Sequence, residues 1–557
     1  MIFKSLFPKH RKNKVFSYLL ATVLVFVFMF SLVLFPAASV KAEESESAKD
    51  IVNVGVTYTL NTMNPFLYDA TLVNHAAISL QFLPLVELNS DMSFEYLIAS
   101  EVKTEDNKTF EITIDENANW SNGDPITADD VLFTIMKITS QGVGNLNIYN
   151  YSALEGFDEG GQLPDDASLE DVPSLEKIDE KHFTMTTMNE ISLSAFMSGY
   201  LRYIYTVPQA VFAEMSGEDL RTTTWFNEPE MVSGPYRLID LNLDHYASYE
   251  AVEDYWRGTP KIKNLNIRVV EGSGILAGLQ SGELDIIPAT MAAIPMEDQE
   301  VIADLPGFIA EYDKPLTNNY FFINNDSVPQ KEVRQAIAYG IDRELILEGF
   351  LNNNGEITEG FLNSYSPFKN TEIEVRTFDP EKAQALVDES DWDKDKELLF
   401  LTNSGDPTFQ NAANVVAQQL QAIGIKVKVQ AMDLGSLLAE VNNGRYDLMC
   451  VQYTMVPIAP MDDISWLSQS GEGIVNWSHY ESEEMNEAIA NAYAAKEDDE
   501  EGIKEAYTAI DEQIKEDTPL INLYVESPLG IMNEKLENAR VGSFGAFNNV
   551  QEWIFAE

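Results

Sequence analysis

Apolar and polar positions follow two periods along this chain, and together they predict a mixed α/β protein. Ile51–Val56 and Phe110–Ile114 alternate with the period of two that is typical of strands. Between them, Asn74–Leu83 has helical spacing. Ala488–Glu516 predicts two acidic helices broken near residues 498–502, and Thr518–Tyr524 then returns to a strand pattern.

The region before those acidic helices repeats a helix–strand order. Asn411–Ile423 has helical apolar spacing and stops at Gly424, where the alternating segment Ile425–Val429 begins. A second helix over Leu434–Asn442 precedes the strand Tyr446–Tyr453. This order predicts a layered sheet with covering helices. A chain of 557 residues exceeds what one core supports, so we expect two or three domains.

The N-terminus carries an export signal. Val15–Phe35 is apolar without a charge, and Val40-Lys41-Ala42 offers small residues to a signal peptidase. The preceding basic residues are Lys4, Lys9, Arg11, Lys12 and Lys14. The apolar run is also long enough for a retained membrane anchor, and the rest of the chain lies outside the cytoplasm in either case. No cysteine lies near residues 36–45, which excludes a lipid-modified cysteine, and the single Cys450 predicts a buried inert thiol.

The net charge of the chain limits which classes of molecule can be its binding partners. Residues 1–42 hold six of the 36 basic residues and none of the 90 acidic ones, so the remainder carries a formal charge of −60. Nucleic acid and anionic membrane surfaces would be repelled. The charge favours either attraction of cationic ligands or solubility alone.

Signals for an enzyme, a metal or a cofactor are missing from the sequence. The five histidines are isolated, and no metalloprotease pair, nucleophile elbow or phosphate loop is present. The acidic stretch Glu155–Asp171 lacks the ligand spacing of a calcium loop. We therefore expect a non-enzymatic protein without a metal or cofactor.

The segment Asn119–Val131 predicts a strand end, a tight turn and a helix start. Asn122-Gly123 and Asp124-Pro125 are turn dipeptides, and Thr127 with Asp130 has the spacing of a capping box. This segment resembles the signature of the extracellular solute-binding proteins of family 5, the peptide-type receptors of ABC importers. Seven further motifs resemble that family in the right order: Asn64-Pro65, Leu83–Glu87, Val207-Pro208, Ser233–Leu238, Tyr255–Pro260, Ser281–Asp285, and Val333–Ile337 with Ile341–Arg343.

The resemblance implies an α/β fold of the type II periplasmic-binding-protein kind, with two lobes, a hinge and an inserted extra domain (the three-domain, cluster C type). It implies a monomer that binds peptides in the inter-lobe cleft and delivers them to ABC transporter permease subunits. The chain would be associated with the membrane through that transporter or an N-terminal anchor. The expected divisions are 1–42 signal or anchor, 43–84 first lobe, 85–206 inserted domain, 207–322 first lobe, 323–524 second lobe and 525–557 first lobe.

The ligand site departs from the pattern of peptide-binding relatives. After a strand like the one containing Tyr446-Asp447, they carry a Trp, then an aspartate that pairs with the peptide's amino terminus. Here Tyr453 takes the place of the tryptophan and Val456 that of the aspartate. A buried ammonium without a carboxylate is costly. Asp462 or Asp463 can replace the acid from a shifted loop, or they belong to a solvated helix start.

Other ligand-contact candidates follow by position in the family. Asp69 and Thr71 lie in a loop that reaches the ligand in relatives, although Asp69 can equally cap Thr71 locally. Tyr149 and Tyr151 are either cleft walls or core aromatics, and Tyr524 lies near the return crossing to the first lobe. The same fold also accommodates an oligosaccharide, an amine-blocked peptide, a metal chelate or a role as a sensor of a signalling peptide.

Overall fold

The computed structural model describes residues 49–68, 71–145, 147–404, 407–460, 476–494 and 499–556. The N-terminal apolar segment Val15–Phe35 lies outside them. Within these residues, no helix has both the length and the apolar character needed to cross a membrane.

One seven-stranded sheet organises the first lobe. Its central strand, β1 (Ile51–Val56), pairs in parallel with β10 (Asn264–Val269) and with β11 (Ile286–Ile287), and the outer strands are antiparallel. Across the sheet the order is β12 (Phe308–Tyr312), β19 (Leu529–Asn533), β11 (Ile286–Ile287), β1 (Ile51–Val56), β10 (Asn264–Val269), β9 (Tyr246–Ala251) and β8 (Tyr236–Asn242). Its helices are α1 (Leu72–Ser79), α4 (Gln209–Phe212), α5 (Gly217–Thr222), α6 (Ile275–Ser281) and α7 (Met296–Ala303).

A smaller sheet forms within the segment expected to be inserted. Its strand order is β4 (Ala99–Thr104), β5 (Thr109–Ile114), β7 (His182–Thr186) and β6 (Leu175–Lys177). It is accompanied by the pair β2 (Val86–Leu88) and β3 (Phe94–Tyr96), and by helices α2 (Ala128–Ile138) and α3 (Leu193–Gly199). One continuous apolar cluster runs from Val52 in β1 to Phe183 in β7, so this segment shares its core with the first lobe.

A six-stranded sheet organises the second lobe. Its order is β14 (Gly355–Glu356), β18 (Leu520–Glu526), β13 (Thr317–Ile323), β17 (Leu448–Thr454), β15 (Glu397–Asn403) and β16 (Lys426–Met432). The helices are α8 (Lys331–Gly340), α9 (Arg343–Leu351), α10 (Pro380–Glu389), α11 (Pro407–Ala422), α12 (Leu434–Asn442), α13 (Glu483–Ala494) and α14 (Glu500–Asp517). Strand β15 pairs in parallel with β16 and β17, which confirms the layered helix–strand order. Cys450 is buried in β17, and burial raises the pKa of its thiol.

The chain crosses between the two large sheets twice. It leaves the first sheet after Tyr312 and enters the second at Thr317, and it returns between Glu526 and Leu529. The division expected after residue 322 therefore falls earlier, because β13 opens with the polar run Thr317-Asn318-Asn319. That run is fully buried but carries no apolar alternation in the sequence.

Helix α1 ends at Ser79, earlier than its apolar spacing indicates. The next two carbonyl groups bond to the first lobe: the Leu80 oxygen accepts from the Tyr236 amide at 3.0 Å, and the Gln81 oxygen from the Gly234 amide at 2.8 Å. A Cβ atom at Gly234 would stand 2.3 Å from the Leu80 oxygen. Tertiary contacts therefore end the helix, and the close approach explains the glycine of this motif.

The segment Asn119–Val131 joins the inserted segment to the first lobe. The predicted capping box of Thr127 and Asp130 is present, with the Thr127 amide donating to Asp130 Oδ2 at 3.0 Å. The other carboxylate oxygen accepts from the Gln209 amide at 3.0 Å, and Thr134 Oγ1 accepts from the Val207 amide at 3.1 Å. One carboxylate therefore both starts α2 and holds the chain as it re-enters the first lobe.

We expect Asp130→Ala to lower the free energy of unfolding by about 1–2 kcal/mol, because it removes the cap of α2 and the acceptor of the Gln209 amide. Differential scanning calorimetry should show a lower midpoint. Asp124→Ala, an exposed turn carboxylate in the same segment, is the matched control and should change stability little. Equal midpoints for the two variants would contradict this role of Asp130.

Candidate functional site

The two crossings lie side by side and tie the lobes together. The Asp313 amide donates to the Pro528 oxygen at 2.9 Å, which bonds one crossing to the other. The Asp313 carboxylate accepts from the Ser543 amide at 2.6 Å. Just beyond the crossing, the Met455 amide donates to the Leu316 oxygen at 3.1 Å. The segment after β17, where the sequence predicted ligand contacts, therefore starts at the crossing itself.

On the first-lobe side, two loops are bonded to each other. Tyr68 donates its hydroxyl to the Asn147 oxygen at 2.8 Å, and Asn147 Nδ2 donates back to the Tyr68 oxygen at 2.9 Å. Asn145 Nδ2 donates to the Phe66 oxygen at 3.0 Å. Thr71 is exposed and caps α1, accepting from the Asn74 amide at 3.4 Å. Asp69 lies outside the described residues.

The two candidate tyrosines of this region have different surroundings. Tyr151 is only 3% exposed, and its ring meets that of Tyr200 edge-on at 5.5 Å. Tyr149, two residues earlier, is half-buried. Of the two roles left open by the sequence, Tyr151 has that of a core aromatic, and burial raises its pKa. Tyr149 keeps part of its surface available for a ligand.

On the second-lobe side, Tyr453 and Val456 lie at the end of β17. Tyr453 is half-buried and pairs with Asn318 of β13. Val456 is 8% exposed. Tyr524 pairs with Asn319, but it is 2% exposed and belongs to the second lobe's helix-covered core. Asp462 and Asp463 lie outside the described residues.

Val456 belongs to an apolar cluster that spans both lobes. This inter-lobe cluster consists of Leu88, Leu316, Val456, Ala459 and Phe544, all buried, and Leu72 packs against it. The structure therefore brings Val456 close to the residue that follows Thr71. The described residues of this cluster are aliphatic or aromatic, so the side chains that Val456 packs against within it offer no charge.

A buried network of charged side chains lies next to that cluster, and no pattern in the sequence predicted it. His75 bonds through Nε2 to the Glu87 carboxylate, and Arg202 Nε donates to Glu87 Oε1 at 2.5 Å. The Arg202 guanidinium in turn lies 5.0 Å from the ring centroid of Phe544, a member of the cluster. Glu87 ends a family-like motif, yet His75 is isolated in sequence and nothing marks Arg202. Only folding brings the three together.

The network holds a carboxylate in its ionised form. Burial alone would raise the pKa of Glu87, but the charges of Arg202 and His75 and the bonds from His75 and the Leu88 amide lower it to about 2. The Leu88 amide donates to Glu87 Oε1 at 2.7 Å. A paired charge of this kind is costly to disrupt. It fixes the strand that presents Leu88 to the inter-lobe cluster.

The surface at the crossings is divided between the two lobes. Within the residues that the structure describes, no three His, Cys, Asp or Glu side chains are grouped as metal ligands. The groups near the cleft are aromatic rings, amides, hydroxyls and apolar side chains. Such groups suit a ligand that is held through its backbone and through packing.

Comparisons with known proteins agree with this architecture. A profile of the bacterial extracellular solute-binding proteins, family 5 (middle region), matches residues 94–474. The oligopeptide-binding protein AppA of Bacillus subtilis is 24% identical over 500 residues, covering 85% of this chain and 86% of that protein. The structure of AppA from Bacillus subtilis with a nonapeptide superposes with a TM-score of 0.76 at 19% identity, over 92% of this chain and 99% of that one. NikZ of Campylobacter jejuni with Ni(L-His) gives a TM-score of 0.74 at 21% identity, over 91% and 99%.

We expect Glu87→Gln to destabilise the protein by about 3 kcal/mol at neutral pH, because it leaves Arg202 buried without its carboxylate. The folded pKa of Glu87 lies below the unfolded value, so its contribution is present above about pH 5 and is lost as the pH falls toward about 2. Unfolding midpoints measured across this range should therefore converge for wild type and Glu87→Gln at low pH.

The exposed Glu155→Gln is the control and should show no such convergence. A gap between wild type and Glu87→Gln that stays constant with pH would contradict an ionised Glu87.

Proposed function

The chain belongs to the bacterial extracellular solute-binding proteins of family 5, and from that premise we propose that it binds peptides between its lobes and delivers them to the permease of an ABC importer. The observation that supports this most is that Leu72, which follows Thr71, packs against the cluster that contains Val456 and the crossing residue Leu316. A relative with the same fold, AppA, was solved with a nonapeptide.

We propose that the ligand lies extended in the cleft and that the lobes rotate about the two crossings to enclose it. The short segments 313–316 and 527–528 are the only covalent links between the large sheets within the described chain, so rotation there moves each lobe as a body. Tyr149 and Thr71 would contact the ligand from the first lobe, and Tyr453 from the second. Tyr524 would act from beneath, by supporting β13.

We also propose that the protein works as a monomer on the outer side of the cytoplasmic membrane. The basic segment and the apolar run Val15–Phe35 support export through a cleaved signal or a retained anchor. The absence of a cysteine near residues 36–45 argues against a lipid-modified tether. The mature chain's large negative charge favours contact with a permease rather than with anionic lipid.

A second candidate ligand class follows from Val456. Val456 stands where peptide-binding relatives carry the aspartate that pairs with a ligand's ammonium, and it packs in the apolar inter-lobe cluster. An amine-blocked peptide or a ligand without a free amine would therefore fit this position better. A protein with the same fold, NikZ, was solved with Ni(L-His), which is not a peptide.

Native mass spectrometry of the exported protein should reveal co-purified peptides, and calorimetry with a pool of synthetic tripeptides to nonapeptides should show saturable binding. Peptides recovered after incubation should be intact, because no catalytic constellation is present among the described residues. Binding of Ni(L-His) or a sugar with no response to peptides would overturn the peptide proposal. Cleaved peptides would overturn the non-enzymatic one. The intact mass of the mature chain reports whether residues 1–42 are removed.

For any peptide that binds, free-amine and N-acetylated forms should have dissociation constants within about twofold of each other, since Val456 offers no counter-charge. Val456→Asp should create a preference of about tenfold or more for the free amine, because a carboxylate would then pair with it. Val375→Asp, on an exposed part of the same lobe, is the control and should create none. A tenfold free-amine preference in the wild type would show that another acid serves as the anchor.

A further inference from the structure

Apart from the inter-lobe cluster, a second apolar cluster has buried members from both lobes. It fills one face of the second lobe's sheet, and its members include Tyr320 and Phe322 of β13 and Met455 after β17. All of its buried members lie between residues 320 and 520 except one. That exception is Ala195, in α3 of the inserted segment, which is 5% exposed. Ile191, just before α3, packs against the same cluster.

Helix α3 is held firmly on the first-lobe side, so Ala195 is presented as part of a rigid body. The ring of Phe196 stacks on Phe110 of β5 with centroids 3.8 Å apart and an interplanar angle of 4°. Ser192 caps the helix by accepting from the Ala195 amide at 3.2 Å. Because α3 is fixed in this way, Ala195 moves together with the first-lobe side when the lobes rotate.

These two clusters differ in their link to the chain crossings. The inter-lobe cluster includes Leu316, which lies in a crossing and is bonded to Met455. Rotation about the crossings moves such near-axis contacts little. Ala195 belongs to the inserted segment, which contributes no strand to the second sheet. Its contact with the second lobe therefore depends on the lobes being closed. A contact of this kind stabilises the closed arrangement selectively.

We propose that Ala195, with Ile191 packed beside it, is a closure contact that sets how long a ligand stays enclosed. This rests on the hinge closure proposed above. Ala195 acts as a positioning residue. It contacts the second lobe and not the ligand, and it affects ligand release only through the rate at which the lobes open. A small side chain is required because the site is nearly closed to solvent, and a larger one would hold the lobes apart.

Ala195→Arg tests this, since arginine keeps helix propensity close to that of alanine while adding bulk and charge. Ligand release measured by stopped flow with a fluorescent peptide should be about tenfold faster, with little change in the association rate. The midpoint of thermal unfolding without added ligand should match that of the control, Ala213→Arg, which makes the same change at an exposed alanine. Ile191→Ala should speed release in the same direction by a smaller factor.

Inter-lobe distances measured by double electron–electron resonance, with one spin label on each lobe, separate the two proposals. If peptides leave the inter-lobe distance of the wild type unchanged, the proposed peptide function fails. The closure contact is then judged by comparing the ligand-free inter-lobe distances of wild type and Ala195→Arg, and equal distances overturn it. If peptides close the wild type, and Ala195→Arg releases them no faster than wild type or no faster than Ala213→Arg, the closure contact is overturned. Slower opening is expected only where Ala195 is intact.

Discussion

The bonded pair of chain crossings is the constraint on which the rest of the structure depends. Two large sheets with separate helix layers are joined by short segments, and the Asp313 amide bonds these to each other through the Pro528 oxygen. Because both links lie at one place, the lobes can rotate there but cannot slide apart. Every residue that contacts both lobes is therefore either near the rotation axis, like Val456, or far from it, like Ala195.

Near the crossings, the apolar inter-lobe cluster packs against a buried charged network of the first lobe. The inter-lobe cluster joins the two lobes, and the network of His75, Glu87 and Arg202 supports it from inside the first lobe through Phe544. A buried ion pair is seldom a net source of stability, but breaking one partner is costly. The network therefore gives a fixed position to Leu88 and Phe544, against which Val456 packs. Val456 therefore packs against apolar side chains whose positions depend on buried charges of the first lobe.

Several of the family motifs form joints between segments of the chain. Asp130 bonds to the chain near Val207-Pro208, and Gly234 lets the Ser233–Leu238 motif approach the end of α1. Motifs far apart in sequence thus meet in pairs. This explains why they identify a family without identifying its ligand, since they hold the inserted segment and the first lobe in a common framework.

Local patterns in the sequence determined the elements and the fold class. Period-two alternation located β1, the helix–strand order from Asn411 located β16 and β17, and Thr127 with Asp130 located the start of α2. Each of these depends on neighbours within a few residues. The candidate positions Val456 and Tyr453 also followed from the sequence, through the family's spacing. Tertiary structure alone decided the rest: the buried polar start of β13, the early end of α1, the core position of Tyr151, the Glu87 network and the contact of Ala195 with the second lobe. Each of these depends on groups that are distant along the chain, and no periodicity or spacing records which distant groups will be buried together.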